Sequence, residues 1–194
     1  MKKIIITFFV INLLQPIVYS MEPDVFVQST VNRASLVLSK NISKKEKINK
    51  LKSIAKETVD IRGVGFYSLG NARKNLNDNQ KKKYLILFEN YFLKSFSSRL
   101  AEYTNPEIEV MGKETLNENY TIVNSILIAT DVRPEVKIDG RIYTKNKENP
   151  QIRDLIIEGL SLARTQKEEF ASILNSNDGN INALFKTLED FSKN

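Results

Sequence analysis

The sequence predicts an α+β domain: four helices lead into four antiparallel strands, and two helices close the chain. Three observations predict it. Apolar residues recur at three- and four-residue spacing from residue 24 to about residue 103. They alternate with period two from residue 107 to 158, and helical spacing returns from 160 to 188. Helices gathered before and after a run of strands pack over one face of a sheet.

The elements follow in order. Asp24 to Lys40 places Val27, Val31, Ala34 and Leu38 on one helical stripe. Ser43 with Glu46 forms a capping box, and Ile48, Leu51, Ala55 and Val59 continue a second helix. Asp60 can cap a third helix, Ile61 to Lys74, which carries Gly63, Gly65 and Gly70. Each helical glycine costs about 1 kcal/mol against alanine, so close packing or a ligand against the backbone is expected there. Asn77 with Gln80 opens a long helix reaching about Tyr103. Its stripe of Tyr84, Leu85, Phe88, Tyr91, Phe92, Phe96 and Leu100 is either core or, being broad and bulky, in part the wall of a cavity.

From Glu107 the strands begin. Ile108 and Val110 alternate, and Tyr120, Ile122, Asn124, Ile126 and Ile128 oppose Thr121, Val123, Ser125 and Leu127. Asp139-Gly140 looks like a hairpin turn, yet Val136, Ile138, Gly140 and Ile142 stay in phase across it, so Glu135 to Lys145 reads as one strand. Residues 146 to 151 turn into the last strand, which starts at Ile152. At Gly159 the period changes, and Leu160, Ala163, Lys167, Phe170 and Leu174 form a helical stripe directly after the strand. Asn177-Asp178-Gly179 stops that helix, and Ile181, Leu184, Phe185 and Leu188 mark the final one.

The start of the chain reads as a targeting segment. Lys2 and Lys3 precede an almost wholly apolar run from Ile4 to Leu14, and Val18-Tyr19-Ser20 predicts cleavage before Met21. An uncleaved anchor would need about 20 apolar residues, and this run is shorter. The expected mature protein, 21–194, is a single domain of 174 residues with net charge +4 rather than +6. Its lysines are scattered and lack interleaved aromatics, which reads as solvated helix faces rather than a nucleic-acid surface. With no cysteine and no histidine, the chain lacks a thiol nucleophile, the usual triad base and the commonest general acid–base. Most hydrolase chemistry is thereby disfavoured, and no catalytic or metal site is expected.

Asp154, Ile156, Glu158, Gly159, Ser161, Thr165, Gln166 and Phe170 form the string D-x-I-x-E-G-x-S-x-x-x-T-Q-x-x-x-F. It resembles the C-terminal motif of the MlaC-like (toluene-tolerance) phospholipid carriers. Leu69, Gly70, Gln80, Phe88, Leu100 and Tyr103 continue the likeness, which spans Asp24 to about Phe191. The chain departs from the family's habit at Ala72 and Arg73, where an aromatic is common, and at Arg153, where tyrosine is usual; it also has no tryptophan. The resemblance implies an NTF2-like half-cone, a curved four-stranded antiparallel sheet packed with helices around an apolar cavity. It implies a periplasmic carrier of single phospholipids that maintains outer-membrane lipid asymmetry. The implied partners are an outer-membrane lipoprotein complex and an inner-membrane ABC transporter with its membrane-tethered ring protein; the phospholipid is cargo, and no cofactor is implied.

The expected lipid-binding wall is Val64, Leu69, Leu85, Phe88, Phe92, Phe96, Ile126, Ile128, Val136, Ile138, Leu160 and Phe170. Each of these also reads as ordinary core. Asp154, Glu158 and Ser161 are expected to be structural, with Ser161 capping a helix. Two other readings stay open: an exported scaffold with a fully packed interior, and an enzyme of the same cone-like fold.

Overall fold

The computed structural model describes residues 20–193, so residues 1–19 of the expected targeting segment lie outside the described residues. Helix α1 (Pro23–Ser39) begins on a proline, whose fixed φ suits a first helical turn. Helix α2 (Lys44–Thr58) starts where the Ser43 hydroxyl accepts the Glu46 N–H at 3.2 Å. Helix α3 (Ile61–Ser68) starts where the Asp60 carboxylate accepts the Gly63 N–H at 2.8 Å. The predicted third helix is shorter than expected. Gly70 takes φ +54°, which ends α3 at Ser68 and leaves only a 3-10 turn over Gly70–Lys74. Helix α4 (Asp78–Leu100) opens on the reciprocal Asn77–Gln80 capping box.

The glycines of α3 are explained by packing. The Tyr84 hydroxyl of α4 donates to the Gly65 carbonyl at 2.9 Å, and burial pushes that phenol well above its ordinary pKa. A Cβ on Gly65 would lie 2.8 Å from Cδ1 of Phe88, itself 1% exposed. Gly65→Ala is therefore expected to cost about 1–3 kcal/mol by overpacking, read as a lower midpoint in urea or thermal unfolding. An unchanged midpoint would show that α3 and α4 can part without cost.

The sheet is antiparallel in the order β1 (Ile108–Asn117), β2 (Tyr120–Leu127), β3 (Val136–Tyr143), β4 (Gln151–Ile157) and β5 (Leu160–Ser161). The α+β class holds, with five strands rather than four. The fifth arises because Glu158 (φ +49°) and Gly159 (φ +81°) make a tight two-residue hairpin, turning Leu160 back against Ile157. Leu160 is thus a strand residue, and α5 (Leu162–Asn175) starts after it; α6 (Ile181–Lys193) ends the described chain. Asp139-Gly140 lies inside β3, as its phase requires.

Pairing shifts at Val110/Gly112 and Thr115/Asn117 in β1, and at Arg141/Ile142 between β3 and β4. Such bulges bend strands. Helix α1 crosses the sheet near the first of them, where the Gln28 side chain accepts the Val110 N–H at 3.1 Å. Phe26 and Val27 of α1 pack on Val123 and Ile142 from the sheet. A larger cluster joins α3, α4, α5 and α6, centred on Tyr84, Phe88, Phe170, Leu184 and Leu188. Between these two masses lies unfilled space.

Candidate functional site

Two apolar chambers occupy that space. The first, about 290 Å³, lies between α1, α2, α4 and the helix-facing side of the sheet. Val27, Val31, Ala34 and Leu38 of α1 and Leu51, Ile54 and Ala55 of α2 form its roof. Ser125, Leu127, Ile138, Gly140, Ile142, Leu155 and Ile157 form its floor. Successive strand residues face opposite sides, so the floor takes odd positions from β2 and even positions from β3, which the register Val123↔Gly140 and Ser125↔Ile138 brings side by side. Gly140 has no side chain to fill the space above it.

The second chamber, about 230 Å³, is walled by α3, α4, β4 and α5. Val64, Phe88, Phe92, Leu155 and Ala163 supply its apolar surface. The rings of Phe88, Phe92 and Phe96 stack in sequence along α4, with centroids 6.1 and 5.4 Å apart. Its outer edge is polar: the Tyr91 hydroxyl donates to Gln166 at 2.7 Å, and Gln166 donates to Glu169 at 2.9 Å. Burial, and then the nearby Glu169 charge, push the Tyr91 phenol above its ordinary pKa, so it stays a donor.

Val59, Phe96, Arg99, Ile152, Leu155 and Leu162 line both chambers. Among the described residues, Arg99 is the single charged one in the wall of the first chamber, and it is solvent-exposed. None of the ion pairs among the described residues involves it. Nearby, the Arg133 guanidinium lies 5.0 Å from the ring centroid of Tyr103, another wall residue. The junction of the chambers is therefore apolar within and cationic at its rim.

Of the residues expected from sequence, Val64, Phe88 and Phe92 line the second chamber, Ile138 lines the first, and Phe96 lines both. Leu69 and Phe170 are buried in the helical core, with Leu85 packed against it, and none reaches a chamber. Val136 is half-buried and also lines neither. Three positions are corrected. Ile126 and Ile128 are out of phase with buried Val123, Ser125 and Leu127, so they fall on the opposite side of the sheet. Leu160 is 61% exposed because the Glu158-Gly159 hairpin carries it outward, and Leu162 takes the wall position instead.

The α1 and α2 roof lies outside the expected wall, although the Val27/Val31/Ala34/Leu38 stripe is itself legible in the sequence. The parity expected in β2 is the wrong one because both faces carry branched apolar residues. Asn124 marked the difference: on the far face it donates to Asp139 at 2.9 Å, away from the chambers. The motif residues are structural. Asp154, 6% exposed, accepts the Ser161 hydroxyl at 2.6 Å and the Ala163 N–H at 2.9 Å, while Ser161 accepts the Arg164 N–H at 3.1 Å. Glu158 accepts the Lys137 N–H at 2.5 Å, pinning the hairpin to β3.

A model of the MlaC protein family matches residues 28–190. Among solved structures, the chain is similar to the phospholipid-binding protein from Ralstonia solanacearum in complex with a phospholipid. The TM-score is 0.75 at 16% identity, over 89% of this chain and 98% of that one. At that identity the likeness is one of fold.

Proposed function

The chain belongs to the MlaC family, and from that premise we propose that it is a carrier that binds one phospholipid by its acyl chains. The observation that carries this reading is the junction. Two apolar chambers share six wall residues, and one of the six is an unpaired arginine at the rim. A ligand matched to that shape has two apolar arms joined at an anionic node, as a diacyl phospholipid has. The Ralstonia solanacearum protein of like fold holds a phospholipid, which supports the same reading.

The energetics favour a carrier that contributes walls rather than chemistry. Each methylene moved out of water gains about 0.8 kcal/mol, so two chains hold their place without many polar contacts. Such a carrier moves cargo only along differences in affinity. Donor and acceptor complexes must therefore supply the direction. We assign these roles to an outer-membrane lipoprotein complex and an inner-membrane ABC transporter with its membrane-tethered ring protein. The carrier then works in the periplasm, after removal of residues 1–20, and helps to maintain outer-membrane lipid asymmetry.

The test is native mass spectrometry of the protein made in a bacterial periplasm and purified without detergent. One added mass that fragments as a phospholipid is expected. Arg99→Glu, which sets a carboxylate beside the lipid phosphate, is expected to cut lipid occupancy about tenfold, equivalent to ~1.4 kcal/mol. A bare protein mass, with no lipid released on denaturation, would favour a scaffold.

A further inference from the structure

A third cavity, about 430 Å³, lies beside the second chamber and differs from it in chemistry. Arg73, Arg141 and Arg153 all line it, with Tyr67, Tyr120 and Asn117. Val64, Arg153, Asp154 and Ala163 separate it from the second chamber, since these four line both. The partition is tight: Val64, Ala163 and Asp154 are each 7% exposed or less.

Arg153 forms a rigid floor. Its Nε donates to Asp60 Oδ2 at 2.7 Å, a second nitrogen lies 2.6 Å from the same oxygen, and Nη1 donates to the Tyr120 hydroxyl at 2.5 Å. Its guanidinium also stacks 3.6 Å from the Tyr143 ring centroid. The two carboxylates in the neighbourhood are already occupied: Asp60 by Arg153 and the Gly63 N–H, Asp154 by Ser161 and Ala163. Arg73 and Arg141 form no ion pair among the described residues, and the buried Nε of Arg141 has no hydrogen-bond partner. Lys167 adds a further cation over the Tyr67 ring, at 5.3 Å.

A buried guanidinium nitrogen with no acceptor from the protein is costly, and an acceptor from outside the chain offsets that cost. The Asp60 carboxylate is already spent, with Oδ2 taking both Arg153 nitrogens and Oδ1 the Gly63 N–H. A phosphoryl group presents three acceptor oxygens and can take two forks at once. We propose that this recess is a second, separate binding site, for a phosphoryl oxyanion held by Arg73 and Arg141 above the Arg153 floor. The group can arrive as a free phosphate or as part of a lipid headgroup; the second source alone rests on the carrier reading.

The experiment follows the arginine Nε–H resonances of nitrogen-15-labelled protein, delipidated and lipid-loaded, during titration with inorganic phosphate. The expected result is a saturable shift of Arg141 Nε–H in the delipidated protein, weakened at least tenfold by Arg73→Gln with Arg141→Gln when followed at Arg153. If phosphate binds equally well to loaded protein, the ligand is free phosphate. If loading itself moves Arg141 and phosphate then binds at least tenfold more weakly, the ligand is the headgroup. The proposal is overturned if Arg141 moves with neither phosphate nor lipid, or if chloride at equal ionic strength gives the same curve. The wild-type resonance decides this even if the double variant fails to fold. Protein that takes up no lipid, yet binds phosphate at Arg141, would sink the carrier reading and leave this site standing.

Discussion

Phe96→Asp is expected to strip the protein of its lipid while leaving its fold in place. The residue lines both chambers at their junction and stacks on Phe92 at 5.4 Å, so an aspartate there puts a charge where the two acyl chains part. A carboxylate without a partner cannot stay dry; it draws water into the junction or displaces the chains. Phe96 is only half-buried and lies outside the fully buried core, so the helices retain Tyr84, Phe88 and Leu93 as anchors. Lipid occupancy in detergent-free protein should fall at least tenfold, with the far-ultraviolet circular dichroism of the parent. Ile126→Asp, on the far side of the sheet, should change neither. Equal occupancy in the two variants would mean that the junction is not where the chains lie.

The second large effect is on stability. Asp154→Ala removes the acceptor for both the Ser161 hydroxyl and the Ala163 N–H at a site 6% exposed. Hydrogen bonds to a charged group each contribute about 1.5–3 kcal/mol, and a stranded buried donor adds its own cost. A loss of about 2–4 kcal/mol is expected, lowering Tm on the order of 5–15 °C. Asp154→Asn keeps one acceptor oxygen and should recover part of the loss. If alanine and asparagine unfold at the parent's midpoint, α5 is held by packing alone.

These two residues mark what the sequence could and could not convey. Asp154 was legible as structural because its neighbours name its partners: a serine seven residues on, at the head of an apolar helical stripe. Helix starts were legible for the same reason, since Ser43, Asp60 and Asn77 each cap within three residues of themselves. The chamber wall was legible only along α4, where aromatic side chains recur on one face. Elsewhere it depends on which of two apolar faces a strand turns inward, and in β2 Asn124 gives a local sign without deciding it. The decision is made by α1, more than eighty residues away, where Val27 and Phe26 cover Val123 and Ile142. Leu160 was misplaced for a local reason, because two positive-φ residues insert a hairpin where continuous helix was read.

The makeup of the first chamber's wall fixes how the protein holds and releases an apolar chain. Among the described residues it contains no carboxylate, no lysine and no histidine, and its one charge is a guanidinium. The grip on an apolar chain there is therefore one of surface rather than of charge, and it slackens only when the helical roof and the sheet floor move apart.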